Sequence, residues 1–333
     1  MSDDPASSIT LEAIQARAAE LAPHVLHTPS LPLETQALGS GEMILKLELF
    51  QHTGTFKARG ALSNARAIPQ DRRAKGVTAA SAGNHAIAAA WAARASGMQA
   101  RVVMQNTANP FRVARARVMG AEVILKDPGP ATFEEAERLR DEEGMTFIHP
   151  FDGVDTVLGT AGVGLELMQD VPGLDAVVVS VGGGGLISGV AAAVKQMNPD
   201  CAVYGIEPEG AANMTKSMAS GAPITLNGTD TLADSLAPPY SMPLGYALCR
   251  SHVDDFVTLT DDEICAGMVV FAEDAKLAVE PAAGAALAGV LGPLRARLQD
   301  KRVGVIVCGA NIDAAGYGAL MARGQNHVAA LRG

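Results

Sequence analysis

Gln51-His52-Thr53-Gly54-Thr55-Phe56-Lys57-Ala58-Arg59-Gly60-Ala61 sets one lysine between a Gly/Thr turn and a run of small residues that opens a helix. A lysine becomes a reagent when its amine loses the proton and attacks a carbonyl, forming a Schiff base. Once released, the same amine can act as a general base toward an acidic C–H, provided a desolvated setting lowers its pKa. Lys57 is therefore the candidate catalytic residue. Phe56 beside it is either a ring that packs on a bound planar group or a core phenylalanine. The competing account is an ordinary solvated lysine at a helix start, and it leaves three further segments unexplained.

The first is Gly182-Gly183-Gly184-Gly185, which follows the apolar run Val177-Val178-Val179-Ser180-Val181 and precedes a helical pattern from Leu186. Strand, glycines and helix in that order bring bare N–H groups and the positive end of a helix dipole to one point, which suits a phosphate better than a flexible turn does. A nicotinamide fingerprint would need glycine at Ile187 or Ser188, and no Gly-Lys-Ser/Thr follows the loop, so both nucleotide motifs are excluded. A small phosphorylated cofactor remains. The second segment, Ser81-Ala82-Gly83-Asn84-His85, lies where a strand passes into a helix. Its N–H groups and the Ser81 hydroxyl suit a substrate carboxylate, and Asn84 also reads as a helix N-cap. In the third, Cys308-Gly309-Ala310-Asn311, Cys308 ends a strand as either a site residue or a buried structural thiol.

Holding these turns in register requires alternating strands and helices. Strands are expected at Met43–Leu49, Gly76–Ser81, Ala100–Met104, Ala121–Leu125, Ala176–Val181, Ala202–Glu207 and Arg302–Val307. Helices are expected at Ile9–Leu21, Asn84–Ala95, Pro110–Met119, Phe133–Glu143 and Leu186–Met197, with acidic Asp261–Ala275 as a surface helix. This rhythm implies a parallel sheet covered by helices. A chain of 333 residues, 48% apolar but only 4% aromatic, has room for two domains of closely packed, Ala- and Gly-rich helices.

A formal charge of −10 argues against nucleic acid as a partner, because phosphate backbones need a basic face. The four cysteines have neither the CxxC spacing of a zinc site nor the density of a disulfide scaffold. Met1-Ser2-Asp3-Asp4-Pro5 is acidic where a secretory signal is basic, and no run is long enough to span a membrane. A cytoplasmic enzyme acting on a small molecule is the expectation.

Taken together, the Lys57 loop, Ser81–His85, the four glycines and Cys308–Asn311 resemble the fold-type II pyridoxal-phosphate enzymes. Within them the chain is most similar to the branch of threonine/serine dehydratases, serine racemase and hydroxyaspartate dehydratases, from about Leu31 to Asp313. The resemblance implies an α/β fold with two open, mostly parallel twisted sheets and covering helices, as in tryptophan synthase β. It implies a small domain, residues 50–150, inserted into a large cofactor-binding domain built from 1–49 and 151–333, and a homodimer. No appended regulatory domain is expected in the roughly twenty residues after Asp313. It implies pyridoxal 5'-phosphate bound by Lys57, Phe56, Asn84, Gly182, Gly183, Gly184, Gly185 and Cys308, with Asn84 on the phenolic oxygen and Cys308 where most relatives carry a serine facing the ring nitrogen. The amino-acid substrate would lie on Ser81, Ala82, Gly83, Asn84 and His85, the His85 side chain being more structural than catalytic. Glu280 either orders the ring's surroundings or caps the helix after it.

The same resemblance brings in a magnesium or calcium site at Glu207 and Ala211, but Asn213 stands where a carboxylate is expected. A hard dication rarely settles for one carboxylate, so weak or absent metal binding is the expectation. Racemases of this branch carry serine where Ala82 stands, and alanine has no proton to deliver to the second face of a carbanion. The expected reaction is therefore β-elimination from a β-hydroxy-L-amino acid such as threonine or serine, giving a 2-oxo acid and ammonia. The alternatives are a hydroxyaspartate dehydratase, a racemase, a β-replacement synthase and a non-catalytic pyridoxal-phosphate binder. Phe133 falls near where an arginine for a second carboxylate would be sought, which leaves room for a larger, less polar β-substituent.

Overall fold

The computed structural model describes residues 5–81 and 83–332, so Ala82, expected in the substrate site, lies outside the described residues. Five strands come from the first half of the chain and one two-residue strand follows them: β1 (Ser30–Leu33), β2 (Glu42–Lys46), β3 (Val77–Ala80), β4 (Ala100–Gln105), β5 (Ala121–Lys126) and β6 (Thr146–Phe147). The remainder are β7 (Ala176–Ser180), β8 (Ala202–Pro208), β9 (Asp255–Leu259) and β10 (Arg302–Ile306). They form two sheets, one ordered β1-β2-β10-β7-β8-β9 and the other β5-β4-β3-β6. Every pair is parallel except β1–β2. Parallel strands need both faces covered, and the central ones, β3 and β7, are buried at every position.

Two expectations need correction. The strand expected over Met43–Leu49 stops at Lys46, and Glu48–Phe50 forms a 3₁₀ turn instead. The turn carries the Glu48 carboxylate inward, where it is fully buried against Arg59. The helix expected on the surface, Asp261–Glu273, is buried from Ile264 to Phe271. Its acids are concentrated in the first turn, where Thr260 and Glu263 form a capping box, and the rest of it is core.

The helix Lys57–Ala67 is held from two sides. Gly159, in the helix Val154–Asp170, allows a close crossing, since a Cβ there would come within 2.7 Å of Arg59 O and 2.8 Å of Gly60 Cα. Beneath that crossing Arg59 Nε and Nη2 donate to Glu48 at 2.9 and 2.8 Å, and Nη1 donates to Glu166 at 2.7 Å. Lys46, fully buried at the end of β2, donates to Glu166 at 2.7 Å and to Thr28 O at 2.7 Å. Two cations thus pair with two carboxylates, and Asp170 Oδ2 lies 3.7 Å from Lys46 Nζ at the partly exposed end of the cluster. Removing one partner strands the others, so Arg59→Met should lower the unfolding free energy by about 3 kcal/mol. Guanidinium denaturation measures this, and an unchanged midpoint would show that the cluster contributes nothing net.

Candidate active site

The loop that carries Lys57 runs alongside the end of β10. Phe56 N–H donates to Cys308 O at 3.1 Å and Ala310 N–H to Gly54 O at 3.0 Å, with a bridge between Thr55 and Gly309. The turn needs left-handed backbone at Thr53 (φ 70°) and Gly54 (φ 77°). At Gly54 a Cβ would meet Asn311 Oδ1 at 2.9 Å, which accounts for the glycine. Lys57 is the first residue of its helix, and its Nζ donates to Pro150 O at 2.5 Å with the Phe56 ring centroid 5.2 Å away. Burial drives the amine pKa down to about 8, against the opposing pull of Cys308 and Glu280.

One cavity is lined by Phe56, Lys57, Asn84, Gly182 to Gly185 and Cys308, which the sequence scatters over 250 positions. Gly184, with φ 95°, is the N-cap of the helix Gly185–Met197 and no side chain caps it. A Cβ on Gly183 would lie 2.3 Å from the Phe151 ring, and one on Gly184 2.8 Å from the Met214 methyl. Cys308 is buried, accepts from the Ser180 hydroxyl at 3.6 Å, and has its pKa pushed up to about 12 by burial, so it is a neutral thiol.

Asn84 is not the N-cap; Gly83 holds that position. The Asn84 amide donates to the Glu280 carboxylate at 2.8 and 3.0 Å and lies 3.5 Å from Ser235 Oγ. Glu280 is the N-cap residue of the helix Pro281–Leu291, with its carbonyl accepting from Gly284 N–H at 3.2 Å, but its side chain makes no capping hydrogen bond. Its carboxylate also accepts from Asn311 N–H at 3.2 Å, and burial raises its pKa against the pull of Arg112. Asn311 closes the network by donating to Asn84 Oδ1 at 2.9 Å and to Thr53 O at 2.7 Å. Sequence reasoning left Asn311 without a role, although it sits in the Cys308 segment.

At the substrate segment Ser81 N–H is already spent on Val103 O at 3.0 Å, and Gly83 N–H on Ser81 Oγ at 3.2 Å. The helix Asn84–Ala95 leaves the N–H groups of Asn84 and His85 without intrahelical acceptors. His85 is buried and hydrogen-bonds Ile148 O at 2.8 Å, and burial drives its pKa to about 3, so the ring stays neutral and donates from Nε2. Glu207 and Ala211 lie apart from this cavity, at the end of β8 and in the turn after it.

Outside the cavity a cleft of about 400 Å³ is lined by Lys57, Ser81, Arg112, Phe133, Phe151 and Tyr240 among others, within the range of small-molecule sites. Its three phenylalanine and tyrosine rings are linked through Phe147 and His149 behind the wall: Phe133–Phe147 at 6.5 Å between centroids, Phe147–His149 at 6.1 Å, His149–Phe151 at 4.6 Å and Phe151–Tyr240 at 5.7 Å. Arg112 is nearly buried, pairs with Asp234, and donates from Nε to Asn311 O at 3.1 Å. Its charge is thereby neutralised. Phe151 and Tyr240 gave no signal in the sequence.

Comparison with known proteins identifies the family. Residues 21–309 match the family described as pyridoxal-phosphate dependent enzyme. Phenylserine dehydratase of Ralstonia pickettii is 50% identical over 272 residues, 82% of this chain and 83% of that one. L-threonine ammonia-lyase of Thermotoga maritima is 37% identical over 92% of this chain and 76% of its own. The structure of maize serine racemase superposes with a TM-score of 0.89 at 34% identity, covering 96% of this chain and 98% of that one.

A Lys57 amine with its pKa near 8 is mostly protonated at neutral pH and gains its nucleophilic form as the pH rises. Incorporation of pyridoxal phosphate into cofactor-free protein should therefore speed up with pH and level off above about 8, not near the ordinary lysine value of about 10. Stopped-flow absorbance measures this, and Lys57→Ala should show no incorporation.

Proposed function

The chain belongs to the pyridoxal-phosphate dependent enzymes and removes water and ammonia from hydroxy amino acids, and we propose that within this class it prefers substrates with an aromatic ring on C3, 3-phenylserine being the simplest. The single observation that carries the substrate class is the ring-lined cleft beside Lys57, with Phe133 and Tyr240 on its wall and Arg112 held by Asp234. A ring on C3 gains by leaving water for such a wall, whereas a second carboxylate would find no uncommitted cation among the described residues of the cleft. This is the reason to set hydroxyaspartate aside. It also accords with the phenylserine dehydratase similarity.

The residues present fit the cofactor. The glycine loop packs so closely that a Cβ at any of its four positions would strike Ser235, Phe151 or Met214, it lies at a helix N-terminus suited to phosphate, and a desolvated amine shares its cavity. When bound, pyridoxal phosphate supplies an aldehyde for a primary amine and a conjugated ring that accepts the electrons left when Cα loses its proton. In this reading the N–H groups of the Gly182–Gly185 loop hold the phosphate and Asn84 orients the ring, itself held by Glu280 and Asn311. Cys308, a neutral thiol on the cavity wall, would face the ring nitrogen without forcing its protonation. The N–H groups of Asn84 and His85, with the Ser81 hydroxyl, take the substrate carboxylate. Lys57 Nζ then removes the Cα proton, for which its lowered pKa suits it at neutral pH.

Loss of the 3-hydroxyl as water and hydrolysis of the remaining enamine give a 2-oxo acid and ammonia. Alanine at position 82 offers no proton to the opposite face, which disfavours racemisation. We carry over from the resemblance a homodimer in the cytoplasm. Among the described residues no helix is long and apolar enough to cross a membrane.

Assay of 2-oxo acid release from the 3-phenylserine diastereomers, L-threonine, L-serine and 3-hydroxyaspartate tests the substrate class. The expected result is a kcat/KM for one phenylserine diastereomer at least about tenfold above the others, and Phe133→Arg should cut that value by about 10- to 100-fold. Equal or higher kcat/KM for threonine in the parent enzyme would sink the aromatic preference.

A further inference from the structure

Glu207 is fully buried at the end of β8, and its neighbours occupy both of its oxygens. Oε1 accepts from Met214 N–H at 2.8 Å, while Oε2 accepts from Thr215 N–H at 2.7 Å and from the Thr215 hydroxyl at 2.5 Å. The carboxylate thus faces the N-terminus of the helix Asn213–Ser220, where orphan N–H groups and the helix dipole offset negative charge. A carboxylate held in this way needs no cation.

Asn213, the first residue of that helix, is also fully buried. Its Nδ2 donates to Gly182 O at 3.0 Å and to Pro238 O at 3.1 Å. Both partners are carbonyl oxygens, which only accept, so the amide nitrogen must face them. Its Oδ1 meets no donor among the described residues. One amide therefore ties the helix to the first glycine of the loop and to the Pro238 segment that lines the cleft.

The donor set does not fit magnesium or calcium. Glu207 is committed to the helix, Asn213 turns hydrogens rather than charge toward two carbonyls, and a single neutral Oδ1 does not replace an anionic ligand. No group of three or more His, Cys, Asp or Glu suited to a metal occurs among the described residues. We propose that the Asn213 amide takes the place of a divalent cation, drawing Gly182 O and Pro238 O together by hydrogen bonds, so that the glycine loop keeps its shape without metal. Asn213 is in this sense a positioning residue. The proposal rests on the loop being the phosphate cradle, but not on which substituent the substrate carries at C3.

The test compares the cofactor-loaded enzyme, and the same protein stripped of cofactor, in EDTA and in millimolar MgCl2 or CaCl2. Melting temperature, cofactor release and 2-oxo acid production should be unchanged across these conditions. Asn213→Asp in EDTA should melt about 4 °C lower, because its carboxylate faces two carbonyl oxygens. Asn213→Ala should melt lower by a similar amount and gain nothing from either metal. The proposal is overturned if EDTA lowers the melting temperature of the unaltered enzyme and metal restores it. It is also overturned if Asn213→Asp in EDTA is as stable as the parent. Neither result depends on the substrate assay, which can fail independently.

Discussion

The buried quartet of Lys46, Glu166, Arg59 and Glu48 is the constraint on which the site depends. Charges out of water must be balanced by partners in hydrogen-bond contact, or the desolvation cost of several kcal/mol per ion goes uncompensated. The quartet meets that demand by joining the end of β2, the turn after it, the helix Lys57–Ala67 and the helix Val154–Asp170. Arg59 follows Lys57 by two residues, so anchoring the guanidinium anchors the start of the helix. It also consumes the nearby carboxylates. Lys57 Nζ donates to a backbone carbonyl, and burial lowers its pKa against the pull of Cys308 and Glu280.

The surroundings of Lys57 extend the same logic. His85 and His149 are both held neutral by burial, with pKa values driven to about 3 and about 4, and Lys57 itself adds to the effect on each. Burial keeps Cys308 a neutral thiol. The acid nearest the cavity, Glu280, is divided between the Asn84 amide and Asn311 N–H. Among these groups Lys57 is the one amine, and burial brings its pKa to about 8. That is the condition a proton-abstracting base requires.

What the sequence revealed follows from the range over which each signal acts. The turns Gly182–Gly185, Ser81–His85 and Cys308–Asn311 are local strand-end events, and their residue types report them directly; the parallel α/β architecture follows from the spacing between them. The bond from Asn311 to Asn84 spans 227 positions and that from Asn84 to Glu280 spans 196, so neither has a sequence signature. A helix N-cap was the natural local account of Asn84 and of Glu280; Gly83 takes that position before Asn84, while Glu280 holds it with its backbone and spends its side chain on tertiary partners. Asp261–Glu273 misled for a different reason. Its charges cluster in one capping turn, and an average over the helix spreads them along a face that is in fact buried.

Four positions depart from the resemblance in one direction. Cys308 stands for a serine, Ala82 for a serine, Asn213 for a carboxylate, and Phe133 falls near where an arginine was sought. Each change removes a charge or a hydroxyl. Asn213 and Phe133 act on the two ends of one wall, because the Asn213 amide holds Pro238 O and Pro238 lines the cleft with Phe133 and Tyr240. A cleft whose scaffold is held by a neutral amide and whose arginine is neutralised by Asp234 presents little field to a substrate beyond its carboxylate and amine ends. In the proposed reading, discrimination at C3 then falls to shape and apolar contact. Such contacts separate substrates by whole rings far better than by single methyl groups.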